Sequence, residues 1–318
     1  MSDDLALARQ LLHYVFRHRR VLDPADPCAS APCETCYAYQ LPRVLDAVSR
    51  RRPLQFVILA FPAKSPNPRK VLGELPDMAE RLAIEFLQSF CDHVGGFYPP
   101  GATVRICSDG HVFSDLVGVR DEAVTAYRDE LAKVIADTGG QSIDLFTLDD
   151  AFPALAHAEQ RHRLESAYAQ GLVALREQVR TDPDRRAVFN GIHRFLFEDS
   201  SVLQPEVSRS RLREHCKELA YHVIRRSDAW SRLVAHAHPA GLRLSIHPQP
   251  CHSAKIGIHL VRTRDNWLTP WHGVALDDGT SLTLVKRCEA ERLNAALVWR
   301  HARPSHFVAP HLLLKESR

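Results

Sequence analysis

The chain has 318 residues, a formal net charge of +3 and 45% hydrophobic residues, which is typical of a globular protein with a core of ordinary size. The near balance of 41 basic and 38 acidic residues does not give the basic field of a general nucleic-acid binder, so no nucleic-acid partner is expected. No apolar stretch is long enough to span a membrane, and the acidic N-terminus is unlike a secretory signal. We therefore expect a cytoplasmic protein without a membrane partner, whose eight cysteines are mostly thiols.

The first half of the chain alternates between helical and strand patterns. Apolar residues at helical spacing predict a helix over residues 3–19, and a Pro- and Cys-containing loop leads to a second helix over 42–51. Leu54–Phe61 is a nearly continuous apolar run between prolines, which is typical of a strand buried on both faces. The following predicted elements are a helix capped by Asp77, a strand over 102–107, a helix capped by Asp121 and a strand over 142–148.

Strands joined by helices of about 15 residues are expected to lie parallel. Residues 153–238 are predicted to be mostly helical, with a break near 200–204. The last third returns to strands at 242–246 and 256–261, a hairpin around Asp277–Thr280 and a closing helix over 287–299. The predicted class is α/β: a Rossmann-like three-layer α/β/α fold with a mostly helical middle segment and a C-terminal β-rich part that completes the site.

We expect residues 1–318 to form a single α/β catalytic domain with four successive parts. These are a helical N-terminal extension (1–52), a parallel βαβαβ half (53–150), a helical segment (151–240) and a β-hairpin-containing C-terminal part (241–318). Ligands of open parallel sheets bind beyond the carboxyl ends of the strands, which directs attention to the residues that follow each predicted strand.

A stiff, cationic loop follows the first of these strands. Three prolines within Phe61–Lys70 restrict the backbone, and Lys64, Ser65 and Lys70 supply charge and a hydroxyl. Fixed cations of this kind bind phosphate or carboxylate. A solvated surface loop would explain the charges but not their position directly after a buried strand.

Ser108-Asp109-Gly110 follows the second strand. Such a tripeptide is also a common turn, but its expected position beside the Lys64 loop favours a functional role. Asp109 is a candidate for holding an amine or a sugar hydroxyl, or for moving a proton. The chain has no Gly-x-Gly-x-x-Gly pattern, which argues against a dinucleotide site.

A third polar group lies in the last third of the chain. Alternation places Arg243, Ser245 and His247 on one face of a strand, and Lys255 and His272 follow. In most proteins such a stripe is a solvated sheet face. The combination also suits a phosphorylated sugar, because the cations bind phosphate and the histidines transfer protons near neutral pH.

The cysteines at positions 28, 33 and 36 have the spacing Cys28-x4-Cys33-x2-Cys36. Zinc sites use four ligands, often as two Cys-x2-Cys pairs, whereas here one pair stands alone. Packed thiols are the default prediction and a structural zinc ion is the alternative. No His-Glu-x-x-His, Gly-x-Ser-x-Gly or Walker motif occurs, so no catalytic metal is expected.

Several short blocks occur in a fixed order along the chain. They are Phe61-Pro-Ala-Lys-Ser-Pro-Asn, Leu72-Gly-Glu-Leu-Pro-Asp77 with Glu80, Tyr98-Pro-Pro-Gly, Ser108-Asp-Gly-His-Val-Phe-Ser-Asp115, Arg226-Ser-Asp-Ala-Trp230, Arg243-Leu-Ser-Ile-His-Pro248, Lys255-Ile-Gly-Ile258 and Thr269-Pro-Trp-His-Gly273. Together they resemble the pyoverdine/dityrosine biosynthesis family, whose bacterial members are isonitrile (isocyanide) synthases. The resemblance extends from about residue 33 to residue 286.

The resemblance implies that the α-amino group of an aromatic amino acid, tyrosine or tryptophan, becomes an isonitrile whose carbon comes from ribulose 5-phosphate. The amine would attack the C2 ketone of the sugar to give an imine. Proton transfers and carbon–carbon cleavage on both sides of C2 would then leave that carbon on nitrogen. The resemblance also implies no metal or redox cofactor, a place in secondary metabolism, and a later step by an Fe(II)/2-oxoglutarate-dependent oxygenase of the same pathway.

This chemistry requires two anion sites, acid–base groups and an aromatic pocket. Trp271 and Phe61 either wall the aromatic ring or belong to the core. The residues expected to be catalytic are His247, His272, Asp109 and Lys64. The residues expected to bind substrate are Lys70, Ser65, Ser108, Arg226, Arg243, Ser245, Lys255 and Trp271.

Two other readings remain open at this point. Some fungal relatives form N-formyl-tyrosine, which differs from an isonitrile by one water. A non-catalytic protein that binds phosphorylated sugars would show ligand-induced stabilisation without turnover.

Overall fold

The computed structural model describes residues 3–309, and its centre is a five-stranded sheet with the order β3-β2-β1-β4-β5. Every neighbouring pair in this sheet is parallel. The predicted α/β class with a parallel sheet is therefore confirmed. The strands are β1 Leu54–Leu59, β2 Ala102–Cys107, β3 Ile143–Phe146, β4 Leu242–Ser245 and β5 Ile256–Gly257.

Helices of the first half pack around this sheet. They are α1 Asp3–Phe16, α2 Leu41–Ser49, α3 Met78–Phe97, α4 Gly110–Val117 and α5 Asp121–Asp137, with a 3-10 turn at Glu34–Tyr37. Helix α3 begins with a capping box, in which Asp77 accepts from the backbone of the first turn and Glu80 accepts from the backbone of Asp77. Helix α4 was not predicted, and Asp121 is the first residue of α5 rather than its cap, which is Arg120.

The middle of the chain is helical, as predicted. Its helices are α6 Leu148–Ala151, α7 His157–Tyr168, α8 Leu172–Thr181, α9 Pro183–Leu203 and α10 Arg209–Ala237. The predicted break near 200–204 coincides with the end of α9. Between residues 3 and 309, no helix is both long enough and apolar enough to cross a membrane.

The C-terminal part forms a second, four-stranded sheet with the order β7-β6-β9-β8. Its strands are β6 Val274–Asp277, β7 Leu282–Val285, β8 Ala296–Arg300 and β9 Arg303–Val308. The predicted hairpin is confirmed as the antiparallel pair β6–β7. A 3-10 turn at Pro270–His272 leads into this sheet.

The predicted closing helix over 287–299 is wrong in its second half. Helix α11 covers only Arg287–Arg292, and Asn294 has a φ of 51°, a left-handed conformation that ends a helix. Leu297 and its neighbours then pair with β9. Tertiary strand pairing overrides the local helical pattern here.

Candidate functional site

The order of the central sheet reverses between β1 and β4. The chain moves outward from β1 through β2 to β3, and only after the helical segment does it return to the other side of β1 with β4. Such a switch point opens a crevice at the carboxyl ends of the strands. The residues that follow β1, β2 and β4 are those that the sequence motifs singled out.

The end of β1 is fixed by close packing. Phe61 has a φ of 57°, which is unusual for a bulky residue, and its carbonyl accepts a hydrogen bond of 2.8 Å from the Ser108 hydroxyl. The Phe61 ring contacts Trp271 with centroids 5.2 Å apart. A Cβ at Gly110 would lie 2.0 Å from the carbonyl oxygen of Pro62, so only glycine fits there. Ser108 and Trp271 therefore hold the loop in place.

Lys64 lies in a buried ionic cluster. Its ammonium is 2.8 Å from carboxylate oxygens of both Asp77 and Glu80, and it donates to the carbonyl of Pro270 at 3.3 Å. Burial lowers the pKa of Lys64, but the two carboxylates outweigh it and raise this pKa above its ordinary value. The charge of Lys64 is therefore paired with these two carboxylates, and the ion pairs join the loop to α3. Lys64 is not free to bind an anion in this structure.

The same loop contacts α9 through Asp199, which was not predicted. This buried carboxylate accepts hydrogen bonds from the Ser65 hydroxyl at 3.2 Å and from the Asn67 amide at 2.9 Å. The ammonium of Lys70 lies 2.7 Å from it and 4.9 Å from the centre of the Phe195 ring. Ser65 and Lys70 are therefore brought together, around an acid from the helical segment.

His272 lies next to Phe195 and Lys70. Its Nδ1 is 3.0 Å from the Thr269 hydroxyl, and its ring meets Phe195 edge-on with centroids 5.1 Å apart. Burial lowers the pKa of His272 to about 3, and the charge of Lys70 adds to this effect. His272 is consequently neutral at physiological pH.

His247 follows β4 and faces the same region, since it contributes to the lowered pKa of His272. Burial, with the charges of Arg20 and Lys255, lowers the pKa of His247 to about 4. His247 is nonetheless exposed to solvent. The lowered pKa values keep both histidines neutral near pH 7, where the sequence predicted that they would titrate.

Three cations act on one another near β4: Arg243 lies in β4, Lys255 directly precedes β5, and Arg185 comes from α9. Burial lowers the pKa of Lys255, and the nearby charges of Arg243 and Arg185 lower it further, whereas Asp228 opposes them. Arg185 pairs with Asp228 through two contacts of 3.2 and 3.0 Å, while the Nε of Arg243 finds no hydrogen-bond partner among the described residues. We call Arg185, Arg243 and Lys255 the cation cluster. Its excess of positive charge suits an anion such as phosphate.

Ser245 shapes the backbone that follows the same strand. Its hydroxyl accepts hydrogen bonds from the backbone N–H of His247 at 3.2 Å and from the amide of Gln249 at 3.1 Å. The predicted polar residues of β4 therefore divide into two roles, in which Ser245 sets the turn and Arg243 presents charge.

Asp109, after β2, has one carboxyl oxygen without a hydrogen-bond partner. Its Oδ1 is buried and makes no hydrogen bond within the described part of the chain. Burial raises the pKa of Asp109 to about 7, against a smaller effect of its own backbone N–H. A carboxyl that exchanges its proton near neutral pH is suited to general acid–base work.

Arg226 serves the framework rather than the crevice. Its buried guanidinium donates to Glu165 of α7 at 2.7 Å, and to the Val112 carbonyl and the Asp115 carboxylate of α4 at 2.9 and 2.5 Å. These contacts join α10 to α4 and α7. The structure therefore does not bring Arg226 to the other predicted substrate-binding residues.

A cavity of 440 Å³ lies beside the Lys64 loop. It is mostly apolar and touches Ser65, but it includes none of His247, His272 or Asp109. Asp109 and the two histidines thus lie outside this cavity, whereas Lys64 is among its lining residues. Its lining includes Ser65, Leu72, Arg120, Ala123, Leu203 and Arg287.

Sequence reasoning missed the contribution of α9 and of one exposed aromatic residue. Phe195 and Asp199 are four residues apart, so they share one face of α9. Trp267 is 59% exposed, and its ring lies 6.0 Å from that of His247. The four-residue spacing of Phe195 and Asp199 could have been recognised in the sequence, although nothing in the sequence shows which element that face of α9 contacts.

Comparisons with known proteins agree with this fold. The profile of the pyoverdine/dityrosine biosynthesis protein family matches residues 44–298. An L-tryptophan isonitrile synthase from Fischerella ambigua is 46% identical over 307 residues, which cover 96% of this chain and 93% of that protein. An L-tyrosine isonitrile synthase from Pseudomonas aeruginosa is 41% identical over 315 residues, covering 98% and 96%.

A solved structure extends the likeness to three dimensions. The crystal structure of the PvcA protein from Pseudomonas aeruginosa superposes with a TM-score of 0.88 at 41% identity, covering 95% of this chain and 99% of that one. The predicted resemblance is thereby confirmed. This chain belongs to the pyoverdine/dityrosine biosynthesis family and is an enzyme of its isonitrile synthase kind.

Proposed function

We propose that this enzyme converts the amino group of an aromatic amino acid, tyrosine or tryptophan, into an isonitrile, with ribulose 5-phosphate as the carbon donor. The observation that carries the proposal is the buried, unpartnered carboxyl oxygen of Asp109, which follows β2 in the same parallel sheet that carries Arg243 of the cation cluster on β4. Asp109 can exchange a proton near neutral pH, and the cation cluster can hold a phosphate. The substrate class, an aromatic amino acid, is inferred from the relatives, which are L-tryptophan and L-tyrosine isonitrile synthases.

The cation cluster is the proposed phosphate site. Lys255 is exposed. Arg243 donates long hydrogen bonds to the carbonyl and hydroxyl of Ser231, at 3.4 and 3.3 Å, so both cations can bind phosphate without breaking a strong internal ion pair. His247, neutral and beside Lys255, would then donate a hydrogen bond to a sugar hydroxyl or to the C2 ketone. A neutral imidazole suits this role because it adds no further cation to the site.

Asp109 is the proposed base for the amino group. An amino acid arrives as an ammonium ion, and only the neutral amine can attack a ketone. The carboxylate form of Asp109 would bind the ammonium group and take its proton. The amine would then add to C2 of the sugar, and water would leave to give the imine.

Trp267 is the proposed platform for the aromatic side chain. Trp267→Ala should raise KM for the amino acid by about 3- to 10-fold, since an aromatic pair contributes on the order of 1 kcal/mol, and should leave KM for ribulose 5-phosphate unchanged. Trp299→Ala is the matched control, because Trp299 is 61% exposed on β8. Steady-state kinetics with each substrate varied in turn would measure both effects. An equal response to the two substitutions would contradict the platform.

The reaction itself is tested by isotope transfer. The enzyme is incubated with tyrosine or tryptophan and ribulose 5-phosphate labelled with carbon-13 at C2, and the product is identified by mass and by NMR. We expect the label on the isonitrile carbon. Label in a formamide, stable to workup, would instead favour the N-formylating activity, and binding without any turnover would favour a phosphosugar-binding protein. Absence of label from every product would refute ribulose 5-phosphate as the donor.

A further inference from the structure

The N-terminal segment is fastened to the loop that follows β4. Backbone hydrogen bonds join Leu22 to Gln249 at 2.8 Å and Gln249 to Arg20 at 2.9 Å. The Gln40 amide donates to the carbonyls of residues 253 and 254 at 3.1 and 3.2 Å. Two distant parts of the chain therefore meet at one place, next to the loop that carries His247.

Four potential metal ligands converge at this junction. Ligand atoms of Cys28, Cys33, Cys36 and His252 all lie within 4.8 Å of one another. The Cys33 sulfur is 3.8 Å from that of Cys36 and 3.3 Å from Nε2 of His252, and the Cys28 sulfur is 3.7 Å from the same nitrogen. The fourth ligand is 216 residues beyond Cys36 in the chain, which explains why the sequence showed only three.

These separations match a tetrahedral ion. With Zn–S bonds of about 2.3 Å and a Zn–N bond of about 2.0 Å, tetrahedral angles place two sulfurs about 3.8 Å apart and a sulfur and a nitrogen about 3.5 Å apart. We propose a structural zinc site of the Cys3His kind, formed by Cys28, Cys33, Cys36 and His252. The ion would join the N-terminal segment to the loop between β4 and β5.

Two further features support a metal at this position. His252 has a φ of 65°, a costly conformation for a non-glycine residue that persists where surrounding interactions impose it. Arg19 is held against the Cys28–Ala29 backbone and lies 3.9 Å from the Cys36 sulfur, where its charge would offset that of bound thiolates. A disulfide requires a sulfur separation of about 2.05 Å, far shorter than that observed between Cys33 and Cys36.

Metal analysis of the whole protein tests the site. The protein is purified through a tag that binds no metal, kept reduced, and its metal content is measured by mass spectrometry. We expect about one zinc per chain, and loss of that zinc in His252→Ala and Cys33→Ser. His252→Cys should retain it, because a fourth thiolate also completes a tetrahedral site. Cys288→Ser is the matched control, since Cys288 is an exposed thiol outside the cluster.

Cobalt provides a readout that does not depend on activity. Cobalt(II) bound to the apoprotein should give the visible absorption of a tetrahedral ion with thiolate charge-transfer bands, and His252→Ala should lack it. Circular dichroism would show that His252→Ala remains folded. Wild-type protein that takes up neither metal under reducing conditions, or zinc that persists in both His252→Ala and Cys33→Ser, would overturn the proposal.

Discussion

Asp109→Asn is expected to lower kcat/KM by roughly 100- to 10,000-fold, the usual contribution of a positioned general acid or base. The amide has nearly the same shape but can neither take a proton nor carry charge. Asp144→Asn is the matched control, because Asp144 is an exposed aspartate that pairs with Arg105 at the edge of the same sheet. Turnover of Asp109→Asn near the wild-type rate would remove Asp109 from the mechanism.

The pH dependence gives a more specific test of the same group. Burial raises the pKa of Asp109 to about 7, so kcat/KM of the wild type should rise with pH and level off above this value, as the carboxylate forms. The residual activity of Asp109→Asn should lack that limb. His247 and His272, with pKa values lowered to about 4 and about 3, would not produce a limb near 7.

The pH dependence of the free energy of unfolding supplies the folding control. The native state holds the proton of Asp109 up to about pH 7, whereas the unfolded chain releases it near pH 4. Between these values the native state binds more protons, so this group makes the free energy of unfolding fall as pH rises. Asp109→Asn should abolish that fall. Its stability at pH 7 should therefore equal or exceed that of the wild type, even as activity is lost.

The parallel sheet was predictable because its signals are local. Apart from Gln55, the Leu54–Leu59 run is apolar, which is typical of a strand covered on both faces. The capping box at Asp77 marks the start of α3. The place of β4 beside β1 was not predictable from such signals. That pairing is created by contacts between residues almost 190 positions apart, and no local pattern encodes it.

The sequence placed the candidate site at the strand ends, and the structure divides its predicted residues into two groups. Motif position cannot distinguish a cation that faces a crevice from one that faces a carboxylate. Lys64 and Arg226 both form buried ion pairs within the protein. Lys255 and Arg243 carry the same charge but form no such pairs among the described residues. Partners such as Glu80 and Glu165 come from other elements, so only the folded chain reveals them.

Lys64→Met is expected to lower the free energy of unfolding by about 3–5 kcal/mol, because it leaves the buried carboxylates of Asp77 and Glu80 without their cation. The side chain of Lys64 is only 1% exposed. Lys133→Met is the matched control: its ammonium pairs with Glu130 at 3.1 Å but the side chain is 70% exposed, so a change within about 0.5 kcal/mol is expected. Urea unfolding at constant pH would measure both.

A second substitution separates the structural role of Lys64 from a catalytic one. Burial raises the pKa of Glu80 to about 7, and this pKa would be higher still without the opposing charge of Lys64. Removing the cation should therefore leave Glu80 protonated. Glu80→Gln, which mimics that state, should then cost much less in the Lys64→Met background than in the wild type, a coupling that a double-mutant cycle detects. A substrate-binding lysine would show the reverse pattern, with wild-type stability, no coupling to Glu80 and a raised KM. Measuring unfolding and kinetics on the same four proteins therefore decides whether Lys64 builds the site or takes part in the reaction.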